Sequence, residues 1–287
     1  MVKRVMLTVA LTIGLAAVSL GSVSADGPCK GKSCAQGLGP TPGPEAIAAA
    51  EAKKDLALKQ YELMREGGSV ASVSAELAAW SETIGIENGV SPNSVEGGLP
   101  PQQKRLSPVN YQQQAYEYYC GPASAWVVNK YNGIPHWGRE TSYLGEALTQ
   151  QNLAKASYLA TNSGGTNFGT NWYRALNKWW NGSENGWYTL HGYPNPRPNL
   201  TEYKAELSTD IYYLYPLVLD VAMHVNQLHL PGYPSNTEYW HYVTAFGYGS
   251  WGATTDYVDT YWRGLGYHYV YSSANVVSLI DDRGIVW

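Results

Sequence analysis

Cysteine is scarce in this chain, with three among 287 residues, at positions 29, 34 and 120. That excludes a fold stapled by several disulfides, and Cys29 and Cys34 have no nearby histidine to complete a zinc set. Charge is equally thin: 15% of residues are charged, with 19 Lys and Arg against 23 Asp and Glu. Nucleic acid and anionic membranes both need clustered cations, so neither is expected as a partner. After Leu20 no apolar run is long enough to cross a bilayer. No glycine-rich nucleotide loop occurs with a lysine beside it, so no cofactor is expected.

What is abundant is tyrosine and tryptophan, 24 and 11 residues against 2 phenylalanines. Both keep a polar tip on an apolar body, which suits wet surfaces and groove walls as well as the core. At the N-terminus, Lys3 and Arg4 precede an apolar run from Val5 to Leu20, and Val23-Ser24-Ala25 supplies small residues for a signal peptidase. Residues 1–25 thus read as a secretory signal, and the mature chain as secreted, with no membrane association after cleavage. Losing Lys3 and Arg4 and no acidic residue takes the formal net charge from -4 to -6. Cys29 and Cys34 are spaced to close a small loop in an oxidising compartment, or to stay reduced in a leader; either way Cys120 stands apart.

Residues 26–105 form a second region. Positions 35–44 are rich in glycine and proline and read as linker. Glu45 to Arg65 are strong helix formers, with Leu56, Leu63 and Met64 on one side and Gly67-Gly68 as a stop. A shorter helix is expected over Ser74 to Thr83, and Asn88 to Pro101 is irregular again. This arm reads either as a prosegment covering a cleft or as a spacer.

The chemistry concentrates after it. Gln114 is followed six positions on by Cys120-Gly121-Pro122-Ala123-Ser124, which runs into the apolar Ala125-Trp126-Val127-Val128. Pro122 suits the first turn of a helix and Gly121 permits close backbone approach, so a helix is expected from about Gly121 to Tyr131, stopping at Asn132-Gly133. A cysteine at that helix start faces N–H groups and a positive dipole end, both favouring thiolate. Far along the chain, Trp240-His241-Tyr242-Val243-Thr244-Ala245-Phe246-Gly247-Tyr248 alternates like a strand, and Asp256 to Trp262 reads as a second one. In an antiparallel hairpin the end of the second strand lies beside the start of the first, so Asp259 suits His241 better than Asp256 does.

Gln114, Cys120-Gly121-Pro122-Ala123-Ser124, His241-Tyr242-Val243 and Asp259, in that order, resemble the C39-like peptidases, a bacterial branch of the papain-like cysteine peptidases. The resemblance covers roughly Tyr111 to Trp262. It implies Cys120 as nucleophile, His241 as general base and acid, Asp259 as the histidine's partner and Gln114 as an oxyanion donor beside the Cys120 N–H. The family commonly has proline after that aspartate, where this chain has Thr260.

Residues 106–287 are enough for one compact domain. Helices are expected over Glu140 to Ala160 and Asn171 to Trp180, with a glycine-rich turn at Asn162 to Asn167, and a buried strand over Tyr215 to Val221. Helices first and strands later is the α+β order; with the resemblance, a papain-like cysteine peptidase fold is expected, its nucleophile helix packed on an antiparallel sheet. Tyr116, Tyr118, Tyr119, Trp240 and Tyr242 flank the site, as cleft walls or as core. His224 and His229, five apart, do not share a helical face as a metal pair would. The expected activity is hydrolysis of a peptide or protein substrate through a Cys120 thioester. Alternatives are transfer of that acyl group to an amine, or a papain-like module that binds peptide or cell-wall glycopeptide without turnover.

Overall fold

The structure, a computed structural model, describes residues 39–69, 71–83, 101–131, 140–192, 197–261, 268–280 and 284–287. The expected signal, the Cys29 and Cys34 pair, and the Asn132-Gly133 stop therefore lie outside the described residues.

Helix α1 (Pro44–Glu66) has proline in its first turn and closes on Gly67, whose left-handed backbone (φ 70°) lets its N–H reach the carbonyls of Leu63 and Met64. Its buried stripe includes Met64, as expected, but is otherwise drawn from other residues. Ala50, Lys53, Ala57, Gln60, Tyr61 and Met64 face inward, while Leu56 and Leu63 are only half-buried. The reason is the partner: α6 (Leu200–Tyr212) presents Asp210 to Lys53 at 3.1 Å and Thr209 to Gln60 at 2.9 Å. Three indole rings, of Trp80, Trp187 and Trp287, surround the Lys53 ammonium at 4.2–5.8 Å. Helix α2 (Ala71–Thr83) covers the expected Ser74 to Thr83 and buries Leu77 and Trp80.

The sheet is antiparallel throughout. Its order is β5 (His268–Ser272), β4 (Thr254–Val258), β3 (Tyr239–Gly249), β2 (Leu217–Met223) and β6 (Gly284–Val286), and the short β1 (Lys104–Arg105) pairs with the far end of β3. β2 is buried along its whole length, Asp220 included, matching the buried strand expected over Tyr215 to Val221. Helix α3 (Cys120–Lys130) packs on β3, with Ser124 Oγ donating to the Tyr242 carbonyl at 3.0 Å. The molecule is therefore α+β, with the Cys120 helix against an antiparallel sheet.

Two elements depart from expectation. Only Gln150–Ala154 (α4) is helical within Glu140 to Ala160, because Gly145 (φ 84°) turns the chain and Thr141 bridges back to Ala147. Helix α6, unforeseen, carries a plain start signal: Asn199 accepts from the N–H groups of Thr201 and Glu202, and Glu202 returns to the Asn199 N–H. Among the described residues, helices α5 (Thr170–Asn181) and α7 (Ser273–Leu279) complete the helical set.

Candidate active site

Cys120 is the first residue of α3, and no side chain caps that terminus. Glycine is required next to it: a Cβ on Gly121 would overlap the side chain of Thr166. Thr166 in turn is tied to β3, since its carbonyl accepts from Tyr242 Oη at 3.0 Å. The glycine-rich turn at Asn162 to Asn167 thus stands beside the Cys120 helix, and Tyr242 is core, packed at 4.6 Å from the Trp172 ring.

His241 enters from the third residue of β3 and Asp259 from the residue after β4. The hairpin expected from the sequence is present, with Thr244 opposite Val258 and a bulge between Ala245 and Gly247. His241 Nε2 and Asp259 Oδ1 are 2.8 Å apart. Asp256, three residues earlier, points to the other side and pairs with Arg105 at 2.7 Å. The choice between the two aspartates is thereby made by strand parity.

Nε2 is taken by the carboxylate, which leaves Nδ1 as the ring's other nitrogen. It has no partner at full hydrogen-bond geometry, yet the Cys120 sulfur is close enough to act on the ring. Burial disfavours a charged imidazole, but the charge and hydrogen bond of Asp259, with a smaller share from Cys120, outweigh it and raise the His241 pKa to about 10. Asp259 thus favours the imidazolium form of the ring.

Gln114 reaches the same neighbourhood, its N–H donating to the Thr260 carbonyl at 3.1 Å. Its side chain, however, is engaged: Nε2 donates to the carbonyls of Tyr116 and Glu117 at 3.0 and 2.9 Å, and Oε1 is buried without a partner. Turning the amide over would set its oxygen against two carbonyls, so the neighbours define its orientation. In this conformation it braces the loop before Cys120, and oxyanion donation requires it to release that loop.

Sequence reading missed two supports. Gln150 on α4 clamps the Gln112 to Ala115 loop, accepting from the Ala115 N–H at 2.8 Å and donating to the Gln113 carbonyl at 2.8 Å. Tyr233, from the long connection between β2 and β3, donates to Asp259 Oδ2 at 2.8 Å. Neither had a motif to announce it.

Cys120 and His241 have no exposed surface and Asp259 is 2% exposed. Tyr116, Tyr118 and Tyr119, just before Cys120, form a mutually packed aromatic group of which Tyr116 is 46% exposed. His224 and His229 turn to local partners, Glu238 for the first and the Gln227 and Thr237 carbonyls for the second. Among the described residues, no group of three His, Cys, Asp or Glu is placed to hold a metal ion, and no helix is long and apolar enough to cross a membrane. No family model, curated protein or solved structure matches this chain.

Proposed function

We propose that this protein is a secreted cysteine peptidase of the C39-like, papain-like kind, acting on a peptide or protein substrate. The observation that carries the reading is the 2.8 Å His241–Asp259 contact, with the Cys120 sulfur close enough to act on the same imidazole. In the proposed reaction the Cys120 sulfur, its proton held by His241 Nδ1, attacks a peptide carbonyl. The C–N bond breaks as Nδ1–H protonates the departing amine, leaving a thioester. Neutral His241 then takes a proton from water, whose oxygen attacks the thioester carbon; the acid leaves and the imidazolium–thiolate pair is restored. Asp259 stabilises the imidazolium and keeps Nε2 as a donor.

One observation favours a second reading, a papain-like binding module. Cys120 and His241 are both closed to solvent, so turnover demands that part of the surrounding cover move. Labelling by iodoacetamide at mildly acidic pH separates the two. The hydrolase reading expects rapid modification of Cys120 that disappears in His241→Ala; the rate of an ordinary, unassisted thiol in both proteins sinks it. A mixed peptide library, compared between the protein and its Cys120→Ala variant, then reads out cleavage and its specificity.

A further inference from the structure

The connection between β2 and β3, residues 224–238, is exposed at Val225 to Gln227 and at Pro234 to Asn236, yet two of its side chains turn inward, Leu230 and Tyr233. The loop closes on itself: the Asn226 N–H donates to the Ser235 carbonyl at 2.6 Å, and the His229 ring spans the carbonyls of Gln227 and Thr237. Tyr271 on β5 holds it from outside through the His229 carbonyl at 3.3 Å. Tyr233 is its inward tip, with its ring centre 6.0 Å from that of His241 and its hydroxyl on Asp259 Oδ2.

Asp259 therefore receives donors on both oxygens. Oδ1 accepts from His241 Nε2 and from the Tyr261 N–H at 2.8 Å, and Oδ2 accepts from Tyr233. A carboxylate held only through Oδ1 can still rotate about that oxygen. A donor on Oδ2 fixes its plane, and in a buried site it satisfies an acceptor that would otherwise have none.

We infer that Tyr233 is a positioning residue for the Cys120, His241 and Asp259 set, its hydroxyl orienting Asp259 for His241 and making that orientation depend on the seat of the β2–β3 loop. The inference rests on the hydrolase reading for its consequence: a loop that lifts to admit substrate withdraws a donor from Asp259, and a loop that settles restores it.

Tyr233→Phe removes only the hydroxyl. Two results are expected. Iodoacetamide labelling of Cys120 at mildly acidic pH slows by roughly tenfold, the scale of a lost hydrogen bond to a charged group. The downfield proton NMR signal of His241 Nε2–H also shifts or broadens, which a merely packing role for the ring would not produce. A folded Phe variant with unchanged labelling and an unchanged signal overturns the inference. Should that variant fail to fold, 3-fluorotyrosine at position 233 keeps ring and hydroxyl while making the hydroxyl a stronger donor; the Nε2–H signal must then move, and a fixed signal overturns the inference equally. The NMR arm needs no turnover. A shifted signal beside an inert wild-type thiol therefore discards the hydrolase reading and leaves the Tyr233–Asp259–His241 coupling standing.

Discussion

At the scale of single residues, what distinguishes two aspartates three positions apart is which side of the hairpin they face. Asp259 lies on His241, and Asp256 is on a half-exposed Arg105. Asp259→Asn keeps the shape but removes the charge that stabilises the imidazolium, so alkylation of Cys120 and any peptide cleavage should fall by about a hundredfold or more. Asp256→Asn breaks only a partly exposed ion pair, so stability should change by less than about 1 kcal/mol and reactivity little. Equal losses in both variants would show that the pairing does not serve Cys120. Gly121 is the other sharp test. Gly121→Ala drives a methyl into Thr166 and should cost about 1–3 kcal/mol in denaturant unfolding while slowing Cys120 alkylation, because the helix start must shift.

At the scale of elements, the arm before the Cys120 segment is integrated into the domain. Lys53 of α1 and Asp210 of α6 are both fully buried, and burial lowers the lysine pKa to about 8 and raises that of the aspartate to about 6, each partly offset by the other's charge. Removing one partner strands a buried charge: Lys53→Met should destabilise by about 3–5 kcal/mol, and adding Asp210→Leu should recover most of that loss, as chemical denaturation of the four proteins would measure. The same contacts bear on the expected prosegment. A chain starting near Leu106 loses α1 and uncovers Asp210 and the Trp187 ring, so it should unfold at a markedly lower temperature than the longer chain. Equal melting and faster peptide cleavage in the short form would restore the removable-prosegment reading.

At the scale of the whole molecule, pH links site to stability. The His241 pKa is higher in the folded chain than the ordinary 6.5, so its stabilising contribution is complete below that value and is lost as pH rises toward about 10. Lys53 runs the other way, because its buried charge is a cost below about 8 that is relieved above it. The difference in unfolding free energy between wild type and His241→Ala isolates the first effect, and it should shrink between pH 7 and 10. A difference independent of pH would mean that the imidazole is not held charged. How much of this was legible in advance follows from range along the chain. Helix α3, helix α2, the hairpin and the favoured aspartate were readable because helix starts, strand alternation and hairpin geometry depend on neighbours a few residues apart. The burial of Lys53 and Gln60 on α1, the occupied amide of Gln114 and the tyrosine on Asp259 were not, since each is defined by a partner distant in sequence or by a rotamer. The chain by itself determined which residue types make up the candidate site and the elements that bring them in. Only the tertiary structure decided what each of those side chains touches, because a buried polar group takes whichever partner the packing brings within hydrogen-bond reach.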